Sequence, residues 1–294
     1  MRDSSNILHT LSRLFLLVLL ISTVTSCATV PYEFGKNLEE DDNLPLAVQE
    51  PQVERGQSKK VVDFIGCWIF GLPSKILLLN LKVDNHDISP ETEAVLAQYL
   101  ASNGLEKVKV RLNQYQPRSE WARLARNHAI HPGWRWTFGA LATALYTIFP
   151  GRIFGGDNYN PYTNTINLYS DHPAIALHEA GHAKDAAERT LKGTYAAIYS
   201  LPLVPLWHEA DATGDVMGYL QHQDDIPAQK SAYRTLYPAY FTYIGGSLAQ
   251  FLPEYDLMLS LGMVIPGHIV GQTRAFLLKE KEGEVGESKL AESR

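Results

Sequence analysis

Cysteine is nearly absent from this chain: 294 residues contain two, Cys27 and Cys67. A disulfide framework is therefore excluded as the source of stability, and so is a zinc site built from thiolates. An excess of positive charge is also missing, with 26 Lys and Arg against 32 Asp and Glu, a formal net charge of -6 and no sustained basic patch. Nucleic acid is accordingly not an expected partner. There is no glycine-rich phosphate loop, no internal repeat and no heptad array. The apolar runs at 134–149, 194–207 and 235–251 fall short of the roughly twenty residues that span a bilayer comfortably. What is present is a globular composition, 45% hydrophobic and 10% aromatic, long enough for one large domain or two small ones.

The N-terminus has the organisation of a targeting segment. Arg2 and Arg13 supply a positive region, Leu14 to Val24 an apolar core, and Val24-Thr25-Ser26-Cys27 closes it. That tetrapeptide resembles the lipobox of bacterial lipoproteins. The resemblance implies a signal peptide over residues 1–26 and lipidation at Cys27. Ala28, where inner-membrane lipoproteins often carry Asp, then favours the outer membrane, facing the periplasm. Residues 27–60, acidic in Glu39-Glu40-Asp41-Asp42 and proline-bearing, read as a flexible tether. With Cys27 taken by lipid, Cys67 has no intrachain partner and reads as a buried, inert thiol.

The folded domain is expected over 61–275, with a scaffold part at 61–130, a metal site within 150–220 and a disordered charged tail at 276–294. Ile76 to Val83 is a continuous apolar run of strand length. Ser89-Pro90-Glu91 opens a helix with Val95, Leu96, Tyr99 and Leu100 on one face and Asn103-Gly104 at its end. Val108, Val110 and Leu112 alternate with Lys107, Lys109 and Arg111, the pattern of a half-exposed strand. A helix follows from Ser119 to Asn127. The run from Trp134 to Phe149 reads first as a buried core helix and second as a membrane-surface contact. Thr163 to Tyr169 reads as a strand, and Ser170-Asp171-His172-Pro173 as a helix start, with Ser170 or Asp171 as N-cap.

The helix that follows carries His178-Glu179-Ala180-Gly181-His182. Residues four apart lie on one helical face, so His178 and His182 can bring two imidazole nitrogens to one metal ion. Glu179, beside the first ligand, is placed to take a proton from water as general base. A catalytic zinc needs a third protein ligand and one open position. In the metzincin arrangement that ligand lies six residues beyond the second histidine, at Glu188. The position that needs a turning glycine there is Asp185, and on a continuous helix, at about 100° per residue, Glu188 points away from the metal face. The other source is a second helix, and Leu206-Trp207-His208-Glu209-Ala210-Asp211 stands out.

This segment and the His-Glu-Ala-Gly-His helix together resemble the gluzincin branch of zinc metallopeptidases that contains the membrane-associated prenyl-protein endopeptidases and periplasmic chaperone-like proteases. Those carry a Glu-x-Glu-Ala-Asp element on the helix after the active-site helix. The resemblance covers residues 150–220. It implies an α+β, mainly helical zincin-like domain with a small β-sheet, a Zn2+ cofactor and a peptide or protein substrate. Laid on that element, Glu209-Ala210-Asp211 puts Trp207 where the family's ligand glutamate stands. Glu209 is therefore the expected third ligand, with His208 and Asp211 as the other candidates. Asp185 and Asp211 are candidates to orient an imidazole N–H. The strand before the metal helix is expected to pair with an extended peptide, as in zincins. Candidate oxyanion donors are Tyr233, Arg234, Tyr237, Tyr240, Tyr243, His222 and His268. The resulting expectation is a lipid-anchored zinc peptidase of the bacterial envelope, attached to the membrane through lipid on Cys27. The alternative is a non-catalytic zinc-binding lipoprotein acting in envelope assembly or protein binding.

Overall fold

The computed structural model describes residues 32–35 and 50–278. The expected signal peptide, Cys27 and residues 279–294 of the tail lie outside the described residues. Within them the chain is an α+β fold, mainly helical, with one small mixed sheet. In chain order the elements are β1 (Val53–Arg55), α1 (Lys60–Ile65), a π-helical turn (Gly66–Phe70), α2 (Leu72–Leu78), α3 (Pro90–Ser102), β2 (Lys109–Leu112) and α4 (Pro117–Arg126). There follow α5 (Pro132–Trp134), a second π-helical turn (Arg135–Gly139), α6 (Ala140–Ile148), α7 (Gly151–Phe154), β3 (Asn158–Asn160), β4 (Thr165–Leu168) and α8 (Pro173–Glu188). The C-terminal part comprises α9 (Lys192–Ile198), α10 (Val204–His222), α11 (Ile226–Ala249), α12 (Asp256–Gly262) and α13 (Val264–Leu277).

The sheet order is β1-β2-β4-β3, parallel except for the antiparallel β3–β4 pair. One face packs on α3 and α8. Val110, Leu112, Ile166 and Leu168 meet Leu96, Tyr99 and Leu100 of α3 and Ala176, Leu177 and Ala180 of α8 in a core that continues into α10 and α11. Ser89 caps α3 by accepting a hydrogen bond from the Thr92 N–H, with Pro90 in the first turn. The residue before α8 is His172, whose side chain makes no capping bond. The two residues expected to cap α8 are used elsewhere. Asp171 accepts hydrogen bonds from the Ser89 N–H and hydroxyl and from the Thr92 hydroxyl, and Ser170 donates to Asp157. Asp171 thereby ties the starts of α3 and α8 together.

Several elements differ from the sequence reading. The run 76–83 is not a strand: Leu72–Leu78 is helical, and Leu79 stops it in the left-handed region at φ 49. In this helix Lys75 turns inward, and its buried ammonium donates to the Cys67 and Asp84 carbonyls. Strand β2 is not half exposed, because all four of its residues are buried. Its cationic side is covered by α4 and by residues 50–55. Lys109 pairs with Glu54 at 2.7 Å, and Arg111 with Glu54 and Glu120, each at 2.8 Å. Residues 50–55 therefore belong to the folded domain, although they fall in the stretch read as tether. At the other end, residues 276–277, read as the start of the tail, close α13. The 134–149 run is not a core helix. It is broken by a π-helical turn, and it turns Arg135 and Thr143 inward while Trp136, Leu141, Leu145 and Ile148 face outward.

Candidate metal centre

Helices α8 and α10 carry the site, and their close approach makes it. Gly181 lies against Ala212, and a Cβ on Gly181 would sit 3.3 Å from the Ala212 carbonyl oxygen. A larger side chain here would force the helices apart, so the small residue inside the motif sets the spacing across which α10 reaches the histidines. Across that gap Glu209 Oε2 stands 3.0 Å from His178 Nε2, and Glu209 Oε1 stands 3.5 Å from His182 Nε2. The two imidazole Nε2 atoms are 3.2 Å apart.

These separations test the site for a metal. Ligand atoms around a tetrahedral ion with bonds of about 2.0–2.1 Å lie about 3.3 Å apart. The two imidazole nitrogens are 3.2 Å apart, one oxygen of Glu209 lies 3.0 Å from the first and its other oxygen 3.5 Å from the second, close to that spacing. His178, His182 and Glu209 are the group among the described residues that can hold a metal ion.

The other candidates point elsewhere. His208 lies under Tyr199, with ring centroids 3.5 Å apart and planes at 19°, and its Nδ1 meets the Tyr195 hydroxyl at 2.6 Å. Asp211 is on the exposed side of α10, and Glu188 is exposed at the end of α8. Asp185 meets Tyr195, Arg189 and His208 rather than His182. The group within reach of His182 Nδ1 is the Tyr199 hydroxyl, at 3.2 Å. With Nε2 turned to a metal, Nδ1 carries the proton and donates it to that oxygen, which fixes the ring.

The charges of the three groups are coupled. Burial alone would raise the pKa of Glu209, but the two histidines outweigh it and hold the carboxylate ionised, well below its ordinary range. Glu179 is not one of the three. It is buried beside them and accepts a hydrogen bond from the Tyr159 N–H of β3. Burial raises its pKa, the histidines oppose this and Glu209 adds to it, leaving a net upward shift. Half-buried Asp157 is pushed up to about 7 by desolvation and then by the Asp84 charge; its Oδ1 accepts from the Tyr169 and Ser170 N–H groups, joining the end of β4 to the cleft.

A cleft crosses these three groups on both sides. One arm is lined by Asn158, Tyr159, Tyr195 and Tyr199, the other by Ser74, Leu77, Leu78 and Thr235, and Asp157, Glu179, Glu209 and Tyr243 line both. The strand expected at the substrate edge, β4, is internal; the outer strand beside α8 is β3. The chain doubles back through a turn in which Asn160 accepts from the Tyr162 N–H and Asn164 takes φ 51, and this places β3 between β4 and the cleft.

No known protein family, curated protein or solved structure matches the chain. The site therefore has to be read from its own residues.

Of the seven proposed oxyanion donors, Tyr243 lines both arms of the cleft. The Glu209 charge, then burial, then Glu179 raise its pKa far above the ordinary phenol value, so it keeps its proton. Tyr240 lines the α2 side, but Tyr233, Tyr237 and Tyr240 are core residues. Arg234 is exposed and donates to Gln272, His222 packs against Phe34, and His268 lies 2.8 Å from the Leu77 carbonyl. Tyr195 and Tyr199 were missed by sequence reasoning. Their spacing of four on a short helix beside Trp207 was the available signal.

Proposed function

We propose that the protein is a zinc-dependent peptidase in which His178, His182 and Glu209 hold Zn2+ and Glu179 is the general base. The observation that supports this most is the convergence of two imidazole nitrogens and the Glu209 carboxylate within 3.0–3.5 Å of one another, with a second carboxylate, Glu179, beside them. Zinc held there would supply Lewis-acid polarisation of a carbonyl and acidify a water molecule.

The protein's own groups have separable tasks. Glu179, raised by burial and aimed by the Tyr159 N–H, accepts the proton of the attacking water and returns it to the leaving amine. The outer edge of β3 offers backbone groups to an extended peptide, which holds a substrate without demanding a sequence. Tyr243 donates to the oxygen of the tetrahedral intermediate, with an O–H kept protonated by the neighbouring carboxylates. The resemblance of residues 150–220 to gluzincins agrees with the two-helix source of the ligands. The lipobox-like Val24-Thr25-Ser26-Cys27 supports a lipid anchor for this activity, and Ala28 supports the outer membrane, facing the periplasm.

Metal analysis of the purified protein, combined with digestion of casein and a peptide library with and without chelator, tests the reading. Expected are one zinc per chain and cleavage that chelator stops and zinc restores. Stoichiometric zinc with no chelator-sensitive cleavage would favour the non-catalytic zinc-binding lipoprotein instead.

A further inference from the structure

Polarity is inverted along one side of the molecule. Beyond exposed Lys60 at its start, the charged side chains of α1, the first π-helical turn and α2 face the protein: Lys75 is 2% exposed, and Asp63 pairs with buried Arg152 at 2.7 Å. The large apolar side chains face out, with Phe64 59%, Ile69 58% and Ile76 61% exposed. A soluble surface segment has the opposite arrangement.

The same inversion continues on the neighbouring elements. Phe70 packs on Phe154 with centroids 4.9 Å apart, and Phe154 on Phe149 at 5.7 Å, which joins the α1–α2 segment to the outward apolar side of α6. His268 of α13 reaches the Leu77 carbonyl of α2. Helix α13 turns Gly267, Gly271 and Ala275 toward α11, so closely that a Cβ on Gly271 would lie 2.4 Å from the Tyr233 carbonyl oxygen. It turns Ile265, Ile269 and Phe276 outward. Small residues inside and large apolar residues outside is how helices pack when their surroundings are lipid rather than water.

We infer that this face, formed by α1, α2, α6 and α13, docks the folded domain into the surface of a lipid bilayer, with α1–α2 as a bent, partly inserted segment. Three observations select lipid as the occupant. The first is length and composition: no single described helix is long and apolar enough to cross a membrane, but the bent pair Lys60–Phe70 and Leu72–Leu78, with 47° between its arms, is apolar enough to enter one. The second is charge complementarity, because exposed Lys59 and Lys60 stand at one end of this segment and Lys82 just beyond the other, where anionic headgroups would meet them. The third is the chain upstream. The sequence before the domain carries the apolar run Leu14–Val24 and Cys27, which on the proposed lipoprotein reading hold the domain at a membrane, and the apolar segment begins at Lys60, 33 residues after Cys27. One arm of the cleft is lined by Ser74, Leu77 and Leu78 of α2, so docking sets that arm at the bilayer surface.

Spin labels read by electron paramagnetic resonance test this on the full chain. Single cysteines at Ile69, Ile76 and Ile265, and at Glu106 as a control, are introduced with Cys67→Ala. The variants are reconstituted into vesicles of phosphatidylethanolamine with a minority of phosphatidylglycerol. Labels at 69, 76 and 265 are expected to collide more with oxygen than with a water-soluble nickel chelate, and the label at 106 to show the reverse. Because the comparison is made between sites on a domain already held at the membrane, the lipid anchor alone does not produce it. Equal nickel access at all four sites would overturn the inference, since the domain would then hang in water. Dipolar broadening between labels on different chains at 69 or 265 would also overturn it, since a second copy would then cover this face.

Discussion

Tyr243 lines the cleft together with two carboxylates, Glu209 and Glu179, and the Glu209 charge first of all raises its pKa and keeps it protonated. As an oxyanion donor it should matter to turnover and not to metal binding. Tyr243→Phe is expected to lower kcat about a hundredfold with KM and zinc content unchanged, measured by steady-state peptide hydrolysis and metal analysis. A proportional loss of zinc would assign the tyrosine to the shape of the site instead. At this scale the two histidines and Glu179 were legible, because a spacing of four on a helix is a geometric statement in itself. Glu209 was legible only as one of three candidates. Residues 208, 209 and 211 point in different directions from α10, and the helical phase that selects Glu209 is set by the contact of Gly181 with Ala212, which a linear sequence does not display.

The cationic side of the sheet is the element where buried charge is most concentrated. Arg111 has no exposed side-chain surface and bonds Glu54, Glu120, Gln114 and Ser119. Arg111→Ala strands Glu120, which is 1% exposed, and is expected to cost about 3–5 kcal/mol in urea unfolding. A cost below about 1 kcal/mol would mean that water enters and solvates the carboxylates. Alternation of Lys and Arg with Val along β2 reads as a face turned to solvent. The acids that neutralise it, Glu50, Glu54 and Glu120, come from both sides in sequence, so the cover could not be read locally. The run 76–83 failed for a different reason. A short continuous apolar run has no period of its own, so helix and strand could not be told apart over it.

Stability against acid is a property of the whole packing, and His172 reports on it. The imidazole lies between α8 and α11, with Nε2 3.2 Å from Ser231 Oγ and 3.1 Å from Thr235 Oγ1. Burial, reinforced by Lys82, lowers its pKa to about 4 from an ordinary 6.5. The unfolded chain therefore binds a proton that the folded chain refuses. Stability is full above about pH 6.5, falls as pH drops toward 4, and the loss is on the order of 3 kcal/mol. His172→Gln, an uncharged group of similar reach, is expected to flatten that part of the pH–stability profile in urea titrations. An unchanged slope would place the acid sensitivity elsewhere.

The whole molecule brings a pair of histidines, a carboxylate from a second helix and a second carboxylate, Glu179, to one cleft beside an edge strand. In the proposed site the carboxylate beside the two histidines and Glu209 does chemistry while those three residues hold metal. The rate of peptide hydrolysis by Glu179→Gln at full zinc occupancy tests this most directly. The predicted result is a fall of about a hundredfold or more with one zinc per chain retained. A variant that keeps zinc and the wild-type rate would contradict the assignment of Glu179 as base, and one that loses zinc together with activity would make Glu179 a structural part of the site.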